Sequence, residues 1–133
     1  MSTFPLQIVT PDGSIFEGEA EALRLRTSEG YISIRACHAD YVAVLDIGAT
    51  TVTYGGKEHL AACGGGFLSV KDGRVNLIAA SFEYADQIDV PRAELSKKRA
   101  EEILTSSKEE KELRLAKARL SRALNRLRIA DTI

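Results

Sequence analysis

The period of the hydrophobic pattern changes once along this chain, and the change comes after Ser81. Before that point apolar and polar residues alternate over short stretches, as in Ala22-Leu23-Arg24-Leu25-Arg26-Thr27. Alternation of this kind belongs to a strand with one dry and one wet face, because successive side chains point to opposite sides. Beyond Ser81 the apolar residues recur every three or four positions, the spacing of one helix face. A chain of 133 residues carrying both patterns in series is expected to be α+β and mainly β. The expectation is an N-terminal antiparallel β-sandwich over residues 1–85, followed by a C-terminal α-helical hairpin over residues 86–133.

Turn chemistry divides the first part. Pro11-Asp12-Gly13 and Lys71-Asp72-Gly73 supply turns, and Gly55-Gly56 permits the positive φ of a tight hairpin. Between them Tyr41–Ile47, Thr51–Tyr54, Leu60–Cys63, Phe67–Val70 and Val75–Ala79 read as separate short strands. Residues 81–88 lead directly from the last strand into the helices. Asp89 then suits a helix N-cap, with Pro91 tolerated in the first turn. Ala93, Ala100, Ile103 and Leu104 form one apolar stripe, and Thr105-Ser106-Ser107 breaks the helix. A second helix is expected from about Glu109 to Ala130, with Leu113, Ala116, Leu120, Ala123, Leu124 and Leu127 on its apolar face.

Charge divides at the same place. Residues 1–90 hold six Lys/Arg and twelve Asp/Glu (−6), and residues 91–133 hold twelve and seven (+5). Each half therefore favours a different partner surface. No apolar run approaches the length of a membrane span, and Met1 to Gly13 has no basic region leading into an apolar core. Neither a transmembrane helix nor a leader is expected. Cys37 and Cys63 have no metal-ligand spacing and are expected as free thiols.

Three motifs invite chemistry and do not sustain it. Gly64-Gly65-Gly66 precedes another strand and lacks the Lys-Ser/Thr of a phosphate loop, so a tight turn or bulge is expected there. Cys37-His38 would point to opposite faces of a strand, which prevents a shared proton. His59 has no carboxylate or cysteine at ligand spacing. No catalytic site and no metal site are expected. What remains are arginines: Arg92 and Arg99 lie about 20° apart around the first helix, and Arg122 and Arg126 about 40° apart around the second. Both stripes border an apolar seam, so folding the hairpin would gather guanidinium groups on one flank. Such groups repel unless an anion joins them, and their forks match phosphate oxygens. The alternative is a solvated basic face with Glu101, Glu102 and Glu112 as local partners.

Gly65-Gly66-Phe67-Leu68-x-Val70, Ile88-Asp89-x-x-Arg92-Ala93 and Ser121-Arg122-Ala123-Leu124-Asn125-Arg126-Leu127 together resemble the epsilon subunit of bacterial F-type ATP synthase. The order of elements agrees over nearly the whole chain. The resemblance implies a non-catalytic rotor subunit at the cytoplasmic face of the membrane, peripheral to it, that helps couple proton flow to rotation. Its implied partners are the gamma subunit, the c-subunit ring and, when the hairpin is extended, the catalytic alpha/beta subunits. It further implies a regulatory hairpin that restrains ATP hydrolysis, no tightly bound cofactor, and ATP as a regulatory ligand. The implied ATP residues are Ile88, Asp89, Arg92, Ala93, Arg99, Arg122 and Arg126; the implied ring-facing residues are Glu29, Tyr31 and His38.

One loop departs from the family pattern, Gly-Glu-Leu-Gly-Ile-x-Pro-Gly-His. Glu29, Gly30 and His38 fit, but Tyr31 stands where the second acid is expected and Ala36-Cys37 where Pro-Gly is expected. A small nucleic-acid-binding or protein-interaction module is the rival reading, since basic helices can track phosphates. Against a nucleic-acid role, the helices carry no aromatic residue for base stacking and the first half is acidic.

Overall fold

The computed structural model describes residues 2–132, which form two compact units, one ending at Tyr84 and the other beginning at Ala85. The first contains strands β1 (Phe4–Thr10), β2 (Gly13–Ala20), β3 (Ala22–Thr27), β4 (Gly30–Ile34), β5 (Tyr41–Tyr54), β6 (Lys57–Lys71), β7 (Arg74–Ala79) and β8 (Phe82–Tyr84). They make one hydrogen-bonded sheet in the order β2-β1-β7-β6-β5-β3-β4, with β8 also paired to β6. The sheet becomes a sandwich because β5 and β6 serve both layers. The later part of β6 pairs with β7, and its earlier part, Ala61–Cys63, pairs with β8. Pairing is antiparallel except for β1 and β7, which run parallel from Leu6↔Val75 to Val9↔Ile78.

The expected short strands at 41–47 and 51–54 are one strand of 14 residues, and those at 60–63 and 67–70 are one of 15. The triple glycine is therefore neither a turn nor a bulge. Register across β5–β6 is the same on both sides of it, from Leu45↔Gly66 to Ile47↔Gly64. The glycines bend the strand: Gly65 and Gly66 adopt φ of 95° and 146°, angles that side chains disfavour. An added Cβ at Gly66 would collide with the Ile78 carbonyl oxygen and lie 2.9 Å from Ala79 Cα, both backbone atoms of the next strand.

Inward positions of both layers fill the core, including Leu6, Ile8, Leu23, Leu25, Val52, Leu68 and Leu77, all buried. Each large side chain so buried stabilises the fold by ~1.5–3 kcal/mol. Two carboxylates distant in sequence secure tight turns. Glu21 Oε1 accepts the Gly56 N–H at 3.0 Å, and Asp40 Oδ1 accepts the Asp72 N–H at 3.0 Å.

The second unit opens with a single 3-10 turn, Ala85–Gln87, followed by α1 (Val90–Ser106) and α2 (Glu110–Ala130). The Asp89 carboxylate caps α1 by accepting the Arg92 N–H at 3.1 Å. Thr105 and Ser106 remain helical but donate their hydroxyls back to the Glu102 carbonyl at 2.9 and 2.8 Å. The break thus falls two residues later than expected, at Ser107–Glu109. Ala93 and Ala100 on α1, and Ala116 and Ala123 on α2, are fully buried. Ala100 and Ala116 lie equally far in sequence from Lys108, and so do Ala93 and Ala123, which sets these pairs level in an antiparallel hairpin. Ile103, Leu104, Leu113, Leu120 and Leu127 are only half-buried, and Leu124 is 44% exposed. Leu124 does not belong to the buried stripe, because one position past Ala123 is a rotation of about 100°.

Gly66→Ala is expected to cost about 2–4 kcal/mol in urea unfolding, through collision with immobile backbone. Gly73→Ala, where φ is 77° and the space is open, should cost only about 1–2 kcal/mol. Equal losses would mean that the β6–β7 approach is not what demands glycine.

Candidate functional site

Around α1, Arg92 and Arg99 each immediately precede a seam alanine; around α2, Arg122 does the same. In two antiparallel right-handed helices facing each other, the residue before the seam falls on the same flank of both. Arg126, one turn beyond Arg122, keeps to that flank, as does Asp89, one turn before Ala93. Counted from Lys108, Arg92 is sixteen residues back, while Arg122 and Arg126 are fourteen and eighteen forward. Arg92 therefore stands at a height between the other two, ~3 Å from each along the helix axes. Arg99 sits nearer the loop, ~7.5 Å from the level of Arg122.

Arg92 and Arg99 are exposed, Arg122 and Arg126 half-buried, Ala93 buried, and Ile88 half-buried at the entry to α1. Asn125, which the sequence reading passed over, is 2% exposed and accepts a hydrogen bond from Arg128 Nη2 at 3.1 Å. A buried asparagine inside an apolar repeat is the signal that would have flagged it.

The sandwich presents a second surface. Val44, Phe67 and Ile78 pair directly across β5, β6 and β7, and Val9 of β1 continues the row beyond Ile78. Val44, Phe67 and Ile78 are 54–57% exposed and nearby Val42 is 74% exposed, giving an apolar stripe on an outward face. Such a stripe on a sheet's wet face marks a contact surface. Its trace in the sequence is the loss of alternation in Val42-Ala43-Val44-Leu45 and Leu77-Ile78-Ala79.

Glu29 lies exposed in the two-residue turn between β3 and β4. Thr27 Oγ1 holds that turn, accepting the Glu29 N–H at 3.1 Å and donating to the Gly30 carbonyl at 2.8 Å. Tyr31, 46% exposed on β4, carries the Arg24 guanidinium 4.7 Å from its ring centre. His38 lies apart, in the loop that leaves the opposite end of β4. Its Nδ1 is 2.7 Å from the Ala39 carbonyl oxygen, and its ring meets Tyr41 edge-on at 5.9 Å. The premise of an extended Cys37-His38 fails here. Ala36-Cys37 is a turn, and exposed Cys37 takes a φ of 64°. That left-handed angle suits the glycine of the family pattern and strains a side chain.

Cys63 is buried, and that burial pushes its thiol up, against the smaller opposing pull of the Gly65 backbone and the Thr50 side chain. A raised thiol is a poor nucleophile at neutral pH. Burial, together with neighbouring Tyr54, pushes the Tyr84 phenol up to about 12. His59 stacks on Tyr54 with ring centres 3.8 Å apart, an arrangement that packs the sheet. Among the described residues no group of His, Cys, Asp and Glu is placed to hold a metal ion, and no helix is long and apolar enough to cross a membrane.

Residues 3–85 match the family model of the ATP synthase delta/epsilon chain β-sandwich domain, and residues 86–131 match that of its long α-helix domain. The chain belongs to the ATP synthase delta/epsilon family. Within it, the similar curated proteins are epsilon chains. That of Bacillus pumilus is 40% identical over 130 residues, and that of Ruminococcus albus 38% over 132, each alignment covering 98% of both chains. Among solved structures, a chain of the Euglena gracilis mitochondrial ATP synthase, determined as an OSCP/F1/c-ring assembly, superposes with a TM-score of 0.75 at 25% identity. That match covers 91% of this chain and 77% of the other. A chain from the central stalk and c-ring of the Tetrahymena thermophila enzyme shares the fold, with a TM-score of 0.65 at 14% identity over 95% of both.

Cys37→Gly is expected to stabilise the sandwich by about 0.5–1 kcal/mol by relieving the left-handed strain, and Cys37→Val to destabilise it by more than about 1 kcal/mol. Urea unfolding under reducing conditions checks both, and the same order for glycine and valine would contradict the strain.

Proposed function

We propose that this epsilon-family chain is a non-catalytic rotor subunit of a proton-translocating ATP synthase, whose sandwich is held by the gamma subunit and the c ring while its hairpin regulates ATP hydrolysis. The observation that carries the reading is the pairing of two family matches, which together span residues 3–131, with two dissimilar surfaces: an apolar stripe on the sandwich and a cationic flank on the hairpin. The Val44–Phe67–Ile78 stripe suits a permanent apolar partner, the role assigned here to gamma. The β3–β4 hairpin with Glu29 and Tyr31, and the loop bearing His38, are assigned to the ring. The chain then works at the cytoplasmic face of the membrane, anchored through its partners.

On the hairpin, Arg92, Arg122 and Arg126 share one flank within about 6 Å along the helix axes, a geometry that fits the successive phosphates of ATP, with Arg99 as a more distant contributor. Asp89 fixes the helix start beside them, Ile88 gives an apolar edge at the entry, and Ala93 admits close approach of the second helix. The same arginines attract acidic protein when the hairpin extends toward the alpha/beta subunits.

The alanine seam bears on the energetics. Four or five large side chains, as the sequence suggests, would hold the helices together by roughly 6–15 kcal/mol gross. Alanine methyls supply about 0.8 kcal/mol each, and half-buried leucines about half their full value. The sum stays within that range, so a bound nucleotide tips the closed form only where protein partners have already brought the two states close. A ligand that binds only the closed form adds ~2.7 kcal/mol at one hundred times its dissociation constant.

Calorimetric titration of the purified chain with ATP should show binding that weakens roughly tenfold or more in Arg92→Ala and Arg126→Ala. Equal affinity in all three proteins would remove the phosphate role. Separately, ATP hydrolysis at low ATP by the reconstituted complex should rise when residues 88–133 are deleted, and an unchanged rate would count against a regulatory hairpin.

A further inference from the structure

Three of the six Lys/Arg residues before position 91, namely Arg24, Arg26 and Arg35, lie on or next to the β3–β4 hairpin, although that part of the chain is acidic as a whole. Two are already fixed in place. The Arg24 guanidinium sits over the Tyr31 ring at 4.7 Å. The stem of Arg26 crosses Gly48, where an added Cβ would meet Arg26 Cδ at 3.0 Å, and its Nε lies 3.9 Å from Asp46 Oδ2. Tyr31 nevertheless remains 46% exposed. Tyrosine and arginine are the side chains that most often anchor protein interfaces, and ordering them before binding removes part of the entropic cost of association.

We propose that Arg24 and Tyr31 act as one preassembled contact for the c-ring loop. This rests on the reading above that the β3–β4 hairpin meets the ring. The exposed part of the tyrosine ring takes an apolar side chain of the ring loop. The guanidinium N–H groups donate to that loop's carbonyl, amide or carboxylate oxygens. Such a contact derives its strength from desolvated aromatic surface and directed hydrogen bonds. Salt therefore weakens it little, whereas an exposed ion pair is screened.

The test is binding of the full-length chain, in complex with its gamma subunit, to detergent-solubilised c rings on a sensor surface at low and high salt. Tyr31→Ala and Arg24→Ala are each expected to weaken binding about tenfold, with the double variant little worse than either single one. Tyr31→Phe should retain affinity, and Tyr31→Glu should lose affinity and acquire a steep salt dependence. Thermal melts that superimpose with wild type show that these exposed substitutions leave the fold intact. Wild-type binding by both alanine variants, or undiminished affinity in Tyr31→Glu, overturns the inference and leaves the ring assignment standing. Failure of the wild-type complex to bind rings overturns both.

Discussion

The β5–β6 ladder is the interaction on which the other elements depend. Each of these strands runs through both layers, and the pair keeps a single register from Tyr41↔Val70 to Tyr54↔Lys57. Strand β7, strand β8 and the β3–β4 hairpin all attach to one or other half of it. Its bend is made by backbone angles at Gly65 and Gly66 and not by an inserted residue. The pairs keep one register through the bend, while the buried positions pass from Leu45, Leu68 and Val70 on one side of it to Thr50, Val52, Ala61 and Cys63 on the other. The core and the exposed Val44–Phe67–Ile78 row are two faces of that one ladder.

The second unit follows different physics. Its buried positions are mostly small, so the helices approach closely while little apolar area is removed from water between them. Close approach brings arginines from both helices to one flank at similar heights. The close seam and the concentrated charge thus have a common origin, the alanines at heptad spacing.

Much of this was legible in the sequence, for identifiable reasons. The change of period after Ser81 is a property of single positions and needs no tertiary information, and so are the Asp89 cap and the turns at Gly55-Gly56 and Asp72-Gly73. The triple glycine was misread because glycine marks turns and strand bends alike, and only the partner strand decides between them. The strand β2 left little trace because it is almost wholly exposed and carries few apolar residues. The parallel β1–β7 pairing and the apolar row are non-local. Each requires knowing which strands are neighbours. On the hairpin, helical spacing placed the arginines beside a seam, but identified it as leucine-rich, because periodicity records where apolar residues fall and not how deeply each is buried.

The parallel contact of β1 with β7 has a consequence for the order in which the chain matures. As it is synthesised, the first strand finds only β2 until residues 74–79 emerge, so the sheet closes after almost eighty residues have been added. Contacts so distant along the chain form slowly, whereas the helical pair is joined by three residues and needs only near neighbours. The nascent sandwich therefore exposes its inner face for most of its synthesis, a period in which chaperones have access to Leu6 and Ile8.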